Sequence, residues 1–148
     1  MKRIFLAGWH FNAGQRLHNL YMEKYLRKFG YEVILPQRES LKYFNGESFD
    51  VAGIVDSCMS SYSDKEVLYI GNADGSDIGM NVEYDFVIFS TGRAIIYRTD
   101  YRKIGINTMS DAKGTIFVYE PCFLTDLDQI DSYYSKLAEK IHDAVSRL

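Results

Sequence analysis

Cysteine and histidine are scarce in this 148-residue sequence, and neither occurs in a metal-binding pattern. The two cysteines, Cys58 and Cys122, lie far apart and form no C-x-x-C pair. They are expected to be reduced thiols, so the sequence predicts no disulfide framework. The three histidines show neither an H-x-x-x-H spacing nor a Cys/His spacing, and no metal site is expected.

Clustered positive charge and long apolar runs are also missing. The net charge of −3, without any run of Lys or Arg, argues against binding to a nucleic acid polymer or to an anionic membrane surface. The first residues, MKRIFLAGWHF, contain only five apolar residues before polar ones resume, too few for a signal peptide or a membrane span. The protein is therefore expected to be cytoplasmic, and any nucleic-acid-like ligand is expected to be small.

The common glycine-rich phosphate-binding motifs do not occur either. The loop of residues 8–14 lacks the G-K-[ST] ending of a P-loop, and the sequence contains no G-x-G-x-x-G. Both observations disfavour an ATP or dinucleotide site, and no cofactor is expected.

Composition and periodicity instead predict one globular domain that spans residues 1–148. With 47% apolar and 25% charged residues the chain can fill a core, which excludes a disordered or fibrous protein. Apolar runs alternate with segments of helical spacing, and residues 37–47 are expected to form a polar loop. The predicted strands are residues 3–7, 31–35, 67–70, 94–98 and 115–119, and the predicted helices are residues 15–29, 49–61, 79–91 and 130–148.

This alternation of strands and helices favours an α/β fold with parallel strands. Two of the crossovers are short and end at glycine, as expected of β-α-β units. The prediction is a doubly wound, flavodoxin-like or Rossmann-like domain with a five-stranded parallel sheet in the order 2-1-3-4-5.

The candidate site lies where the third strand gives way to a helix. There Asp77-x-Gly79-x-x-x-Glu83 places one carboxylate on a loop, a glycine that lets a ligand approach the backbone, and a second carboxylate in the helix. In the predicted order the loop after strand 1 faces this segment, which sets Trp9 opposite two carboxylates. Such a pocket suits a flat ring joined to an acid-labile bond. A purely structural interpretation stays open, in which Asp77 is an N-cap, Glu83 lies on a solvated face and Trp9 covers the core.

Four features, in this order along the chain, resemble the nucleoside 2-deoxyribosyltransferase family. Residues 4–9 are similar to the family's opening strand and loop. Asp56 lies eight residues before a second aspartate, a spacing that the family also shows. The heptad of residues 77–83, followed by Gly92-Arg93, is similar to its signature. Residues 107–109 resemble an Asn-x-Met element of the family. Together the four are far more specific than any one of them.

The resemblance implies an enzyme that cleaves an N-glycosidic bond and passes the (deoxy)ribosyl group to a free nucleobase. Glu83 would be the nucleophile that forms a covalent glycosyl-enzyme, and Asp77 would donate a proton to the departing base. Related N-glycosidases that hydrolyse nucleoside 5′-monophosphates share both residues. The first loop contains no serine to bind a phosphate, which favours the transferase. A nucleotide-binding module without turnover is the third alternative.

The resemblance also implies a set of substrate-binding residues and a homo-oligomer. Asn107 and Met109 would complete the pocket of a neighbouring subunit, so at least a dimer is expected. The substrate-binding residues implied within one chain are Phe5, Gly8, Trp9, Asp56 and Gly79.

The sequence departs from the family pattern near these residues. Phe5 stands where many members have a tyrosine whose hydroxyl meets the nucleophile. Its absence predicts a nucleophile without that donor, and a site that accepts ribose as well as deoxyribose. Alternatively, Phe5 is a core residue that points away from the pocket. Asp85 replaces a small residue, and one extra residue precedes Gly92; both changes are expected to affect the helix that carries Glu83.

Overall fold

Five short strands, rich in β-branched and aromatic residues, form one parallel sheet in a computed structural model that describes residues 2–101 and 114–148. The strands are β1 (Arg3–Ala7), β2 (Glu32–Ile34), β3 (Val67–Asn72), β4 (Ala94–Arg98) and β5 (Thr115–Tyr119). Their order is β2-β1-β3-β4-β5, and every neighbouring pair is parallel. The predicted doubly wound fold and its strand order are both confirmed.

The helices of the described residues follow the strands and end at local sequence signals. They are α1 (Ala13–Leu26), α2 (Pro36–Glu39), α3 (Val51–Ser63), α4 (Ile78–Thr91) and α5 (Ile130–Val145). The predicted helix over residues 15–29 begins earlier, because Asn12 and Gln15 form a capping box at its start. It also ends earlier, in a 3₁₀ turn before Gly30. None of the described helices has the length and hydropathy needed to cross a membrane.

The prediction that residues 37–47 form a polar loop is wrong. This segment contains most of α2 and a 3₁₀ turn at Ser40–Tyr43. Pro36 ends the preceding strand, but its fixed φ also suits the first turn of a helix. The turn packs against α3, where the Tyr43 ring covers Gly53. The segment is therefore structured and packs on the domain, which its polar composition did not indicate.

Two helical layers cover the sheet, and the alternation of strand side chains divides the core between them. Ile4 and Leu6 face α1 and α5, whereas Phe5 and Ala7 face α3 and α4. In β3, Tyr69 belongs to the α3 and α4 side. The strand register therefore sets one aromatic face directly beneath the helix that carries the candidate carboxylates.

Substitution of Gly53 by alanine is expected to destabilise the protein, although the same change in most helices stabilises by up to about 1 kcal/mol. A Cβ at Gly53 would lie 2.6 Å from both Tyr43 Cδ1 and Asp50 Oδ2, so the ring and the N-cap of α3 would have to move. We expect a loss of about 1–3 kcal/mol in the free energy of unfolding, measured by chemical denaturation.

The matched control is Gly14→Ala in α1, where the nearest atom to the new Cβ is Asn12 Oδ1 at 3.5 Å. This variant should be as stable as the parent or more so. Equal stabilisation by both substitutions would contradict the packing of Tyr43 on α3.

Candidate active site

Both candidate carboxylates belong to the start of α4, at the carboxyl end of β3. Asp77 is the N-cap, and its side chain accepts a hydrogen bond from the Gly79 backbone N–H at 3.1 Å. Glu83 lies in the second turn and is only partly exposed. The structural interpretation of the motif is thus half right: Asp77 caps the helix, but Glu83 does not lie on a freely solvated face.

Burial determines the electrostatics of Glu83. It raises the pKa of this carboxyl from its ordinary value of 4.5 to about 7; the Tyr69 hydroxyl opposes the rise, and the negative charge of Asp77 adds to it. Tyr69 Oη lies within hydrogen-bond distance of two acceptors, Glu83 Oε2 at 3.4 Å and the Met80 carbonyl oxygen at 3.1 Å. Near neutral pH the carboxyl is therefore divided between its protonated and ionised forms.

Sequence analysis missed Tyr69, whose hydroxyl is a hydrogen-bond partner of Glu83. In the sequence it is one of several apolar residues in a strand, and nothing marks its hydroxyl as used. The register pairs Tyr69 with Phe5, and their rings stack with centroids 6.1 Å apart and planes 13° apart. The expectation that Glu83 lacks a phenolic donor is therefore wrong, because β3 supplies the hydroxyl that β1 does not.

Phe5 itself has no exposed surface. Its ring packs between Tyr69 and Tyr62, and the Tyr62 ring meets it edge-on at 5.3 Å. Phe5 thus supports the residue that contacts Glu83, and its contact with a substrate stays a prediction.

Residues of α3 close the other side of Glu83. Burial, followed by the negative charge of Glu83, raises the pKa of Cys58 to about 11 and that of Tyr62 to about 12. Both residues lie one turn apart on α3, so α3 and α4 enclose the carboxyl between them. Asp56 lies on the same helix but is exposed, and its side chain forms no hydrogen bond or ion pair with the residues that the structure describes.

The loop after β1 meets the loop after β3, as the strand order predicts. Gly8 has a φ of +150°, and a Cβ there would lie 3.0 Å from Asn72 Cβ, so both its conformation and the close approach require glycine. The Trp9 indole lies over Gly75, where a Cβ would be 3.4 Å from Trp9 Cη2. Trp9 keeps 37% of its surface exposed and is available to a flat ligand.

An open cavity of about 300 Å³ lies beside Trp9. Its other lining residues are Gly14, Gln15, His18, Asn72, Asp74 and Gly75. His18 hydrogen-bonds with the hydroxyls of Tyr134 at 2.8 Å and Tyr97 at 2.9 Å, and burial lowers its pKa to about 4. His18 is therefore neutral at pH 7, and the described lining contains no lysine or arginine. This chemistry suits an uncharged ligand.

The remaining predicted site residues are Gly79, Asn107 and Met109. Gly79 is exposed and supplies the N–H that Asp77 accepts. Asn107 and Met109 lie outside the described residues. Within residues 2–101 and 114–148, no group of three or more His, Cys, Asp or Glu side chains could hold a metal ion.

Replacement of Glu83 by glutamine is expected to stabilise the fold at alkaline pH. With a pKa of about 7 when folded and about 4.5 when unfolded, Glu83 holds more protons in the native state, so the free energy of unfolding falls as the pH rises between these values. Glutamine does not titrate and avoids this loss. Since one pKa unit is worth about 1.4 kcal/mol, the variant should gain on the order of 1–3 kcal/mol at pH 8 relative to pH 4.5.

Denaturation at several pH values measures this gain. The control is Glu139→Gln on an exposed position of α5, which should show no comparable gain. A constant difference between wild type and Glu83→Gln from pH 4.5 to pH 8 would contradict the burial of an ionised Glu83.

Comparison with known proteins supports the family resemblance at the level of the fold. No protein-family model and no curated protein sequence matches the chain. Among solved structures, a conserved protein from Enterococcus faecalis V583 is similar, with a TM-score of 0.64, 18% identity, and coverage of 97% of this chain and 99% of that one. The 2-deoxyribosyltransferase from the psychrotolerant bacterium Bacillus psychrosaccharolyticus is similar as well, with a TM-score of 0.57, 20% identity, and coverage of 91% and 95%. At such identities the likeness establishes a shared fold over nearly the whole chain, and the chain has the fold of a 2-deoxyribosyltransferase.

Proposed function

We propose that this protein is a member of the nucleoside 2-deoxyribosyltransferase family and transfers a (deoxy)ribosyl group from one nucleobase to another. The observation that carries the proposal is the placement of Glu83. This half-buried carboxylate hydrogen-bonds with the buried Tyr69 and lies near the start of the helix that follows β3, the central strand. Ligand sites of doubly wound sheets lie at this end of the strands. The shared fold adds to the proposal, although fold alone does not specify an activity.

The proposed reaction is a double displacement. Ionised Glu83 attacks the anomeric carbon, the bond from carbon to the base nitrogen breaks, and Asp77 gives a proton to the departing base. A nitrogen of the second base then attacks the same carbon, Asp77 takes up its proton, and the Glu83 carboxylate is released. The new glycosidic bond keeps the original configuration because the carbon is inverted twice.

The roles of the two carboxyls follow from position more than from acidity. A carboxyl of raised pKa is usually the general acid, which by itself would assign that role to Glu83. Positive charge that develops at the anomeric carbon as the bond to the base breaks, however, is stabilised by an ionised neighbour, and only the ionised form of Glu83 can attack. Asp77 is the N-cap of α4 and is partly exposed, so an entering base can reach it. We therefore assign attack to Glu83 and proton transfer to Asp77.

Trp9 is proposed to pack on the nucleobase. Gly8 follows β1 and Gly79 lies in the first turn of α4, and neither has a side chain that would keep a ligand away from the backbone. Asp56 is proposed to line the polar side of the pocket, which requires that a substrate or a second subunit cover its exposed position on α3.

A nucleoside 5′-monophosphate hydrolase is the second candidate function. Glu83 and Asp77 do not line the cavity beside Trp9, but a nucleoside stacked on Trp9 would extend into it. Asp74 lies there and the described lining has no basic residue to neutralise a phosphate dianion, which argues against the hydrolase. This favours an unphosphorylated nucleoside as the substrate. A module without turnover is also disfavoured, because α4 runs unbroken from Ile78 to Thr91 and Asp85 is exposed on it.

An apolar stripe on α4 supports the proposed homo-oligomer. Ile78, Val82, Phe86 and Phe89 recur along one side of the helix, and Phe89 is 91% exposed. Exposed apolar side chains grouped in this way are typical of protein interfaces. We propose that a second copy covers the stripe and that Asn107 and Met109 enter the pocket of that neighbour.

Glu83→Gln is expected to abolish base exchange. Incubation of wild type with a nucleoside and a second free base should give the exchanged nucleoside on chromatography. The variant should be slower by at least about 10³-fold, because loss of a nucleophile costs several kcal/mol and each 1.4 kcal/mol is a factor of ten. A 2′-fluoro nucleoside should leave a glycosyl adduct on Glu83, which fragmentation of the labelled peptide distinguishes from an adduct on Asp77. An adduct on Asp77, or a variant that keeps a tenth of the rate, would contradict the assignment.

Phe89→Glu is expected to reduce both assembly and activity. A buried charge at the proposed interface should shift the protein from dimer to monomer on light scattering and lower kcat/KM by at least about tenfold. Leu17→Glu, which places a glutamate at an exposed leucine of α1, is the control and should leave both measurements unchanged.

Mixing experiments test whether the pockets are shared. Inactive Glu83→Ala and inactive Asn107→Ala chains should regain part of the activity when combined, since some mixed dimers contain one intact pocket. A fully active wild-type monomer would overturn the shared pocket.

A further inference from the structure

The Tyr69 hydroxyl lies within reach of two acceptors but has only one proton to give. Its oxygen is 3.1 Å from the Met80 carbonyl and 3.4 Å from Glu83 Oε2. A phenol carries a single O–H donor, so the two bonds compete. An ionised carboxylate attracts the proton more strongly than a neutral carboxyl group does. The bond to Glu83 therefore strengthens when Glu83 is ionised, and the bond to Met80 strengthens when it is not.

The ring that presents this hydroxyl has almost no freedom to move. Tyr69 is 1% exposed, and it stacks on Phe5 on one side. Tyr62 meets the Tyr69 ring nearly perpendicularly, with centroids 6.2 Å apart. Pairing of Tyr69 with Phe5 in neighbouring strands fixes the backbone beneath the ring. The oxygen is thus a fixed point against which the Glu83 carboxylate can be aligned.

We propose that Tyr69 positions the Glu83 carboxylate for attack and selects its ionised form, a role that rests on the proposed glycosyl transfer. Holding Oε2 leaves Oε1 free to meet the anomeric carbon. Tyr69 would be a positioning residue, because it acts through Glu83. The same hydroxyl would favour ionisation, as its opposition to the effect of burial indicates. Orientation and activation of the nucleophile would then come from one hydrogen bond.

The neighbouring strand explains why this role falls to β3. Phe5 occupies the paired position on the same face of the sheet, and its ring lies nearly parallel to that of Tyr69. A hydroxyl added to the Phe5 ring would project from the same face of the sheet toward α3 and α4. The two positions are therefore expected to be partly interchangeable as donors to Glu83.

Tyr69→Phe tests the proposal through two separate measurements. In the absence of substrate, carbon NMR of labelled glutamate carboxyls should show the Glu83 midpoint raised by about 0.5–1 pH unit, because a donor to the charged form is lost. In the exchange assay kcat should fall by about tenfold or more, with KM within about threefold, and the rising limb of the pH profile should move up with the midpoint.

Two further variants separate positioning from stability. Tyr84→Phe removes another buried phenol oxygen of this layer, one that hydrogen-bonds Thr115 Oγ1 at 2.6 Å, and it should leave the Glu83 midpoint within about 0.2 pH unit. The double variant Phe5→Tyr/Tyr69→Phe restores a hydroxyl from β1 and should recover part of both the midpoint and kcat.

The outcomes distinguish this proposal from the proposed function. If Tyr69→Phe leaves the Glu83 midpoint within about 0.2 pH unit and kcat within about twofold of an active wild type, the assignment of Tyr69 is overturned and the glycosyl transfer stands. If the midpoint rises but the wild type exchanges no base, the glycosyl transfer is overturned, and the catalytic half of the Tyr69 assignment falls with it.

Discussion

The cost of burying a carboxylate organises the candidate site of this protein. Glu83 lies in the second turn of a helix packed over the central strand, where neighbouring side chains exclude most of the water that would solvate its charge. Nearby charge makes the cost larger, since Asp77 is also negative. What offsets it is one hydroxyl, that of Tyr69, itself buried in an aromatic layer. A carboxyl held near the balance between its two forms responds strongly to any positive charge placed beside it.

That balance depends on the register of the sheet. Side chains alternate between the two faces of a strand, so a slip of one residue in β3 would turn Tyr69 toward α1 and α5. In the observed register Phe5 and Tyr69 are adjacent on the α3 and α4 side, and together with Tyr62 they form the floor under α4. The packing of the core and the orientation of the site are thus a single feature of the structure.

The fold could be predicted from the sequence because its signals are local and repeated. β1, β4 and β5 lie where short apolar runs predict them, and the strand order follows from connections that are short and of one hand. Pro36 is the counterexample, because proline both ends a strand and begins a helix, and only packing against α3 decides between them.

The site could be predicted only in part, because a motif specifies residues along one segment and not what lies beneath it. The heptad that contains Asp77 and Glu83 identified the helix and its cap. It carried no information about Tyr69, which reaches Glu83 from another element through its ring length and the strand register. For the same reason, the loss of a hydroxyl at Phe5 did not imply its loss from the site. Donors that lie on adjacent strands are visible only once the strands are paired.

The loop between β3 and α4 carries two aspartates with different partners. On the α1 side, Asp74 accepts backbone N–H groups of Thr99 and Asp100 at 2.8 Å each, which fixes the loop to the end of β4. On the other side, Asp77 begins the helix that carries Glu83. Gly75, in between, has a φ of +71° and lies against the Trp9 ring. A ligand that packed on Trp9 would therefore lie next to the loop that runs from Asp74, which is bonded to the end of β4, to Asp77, which caps α4. The negative charge of Asp77 contributes to the raised pKa of Glu83, so the loop that is anchored through Asp74 also places a charge that acts on Glu83.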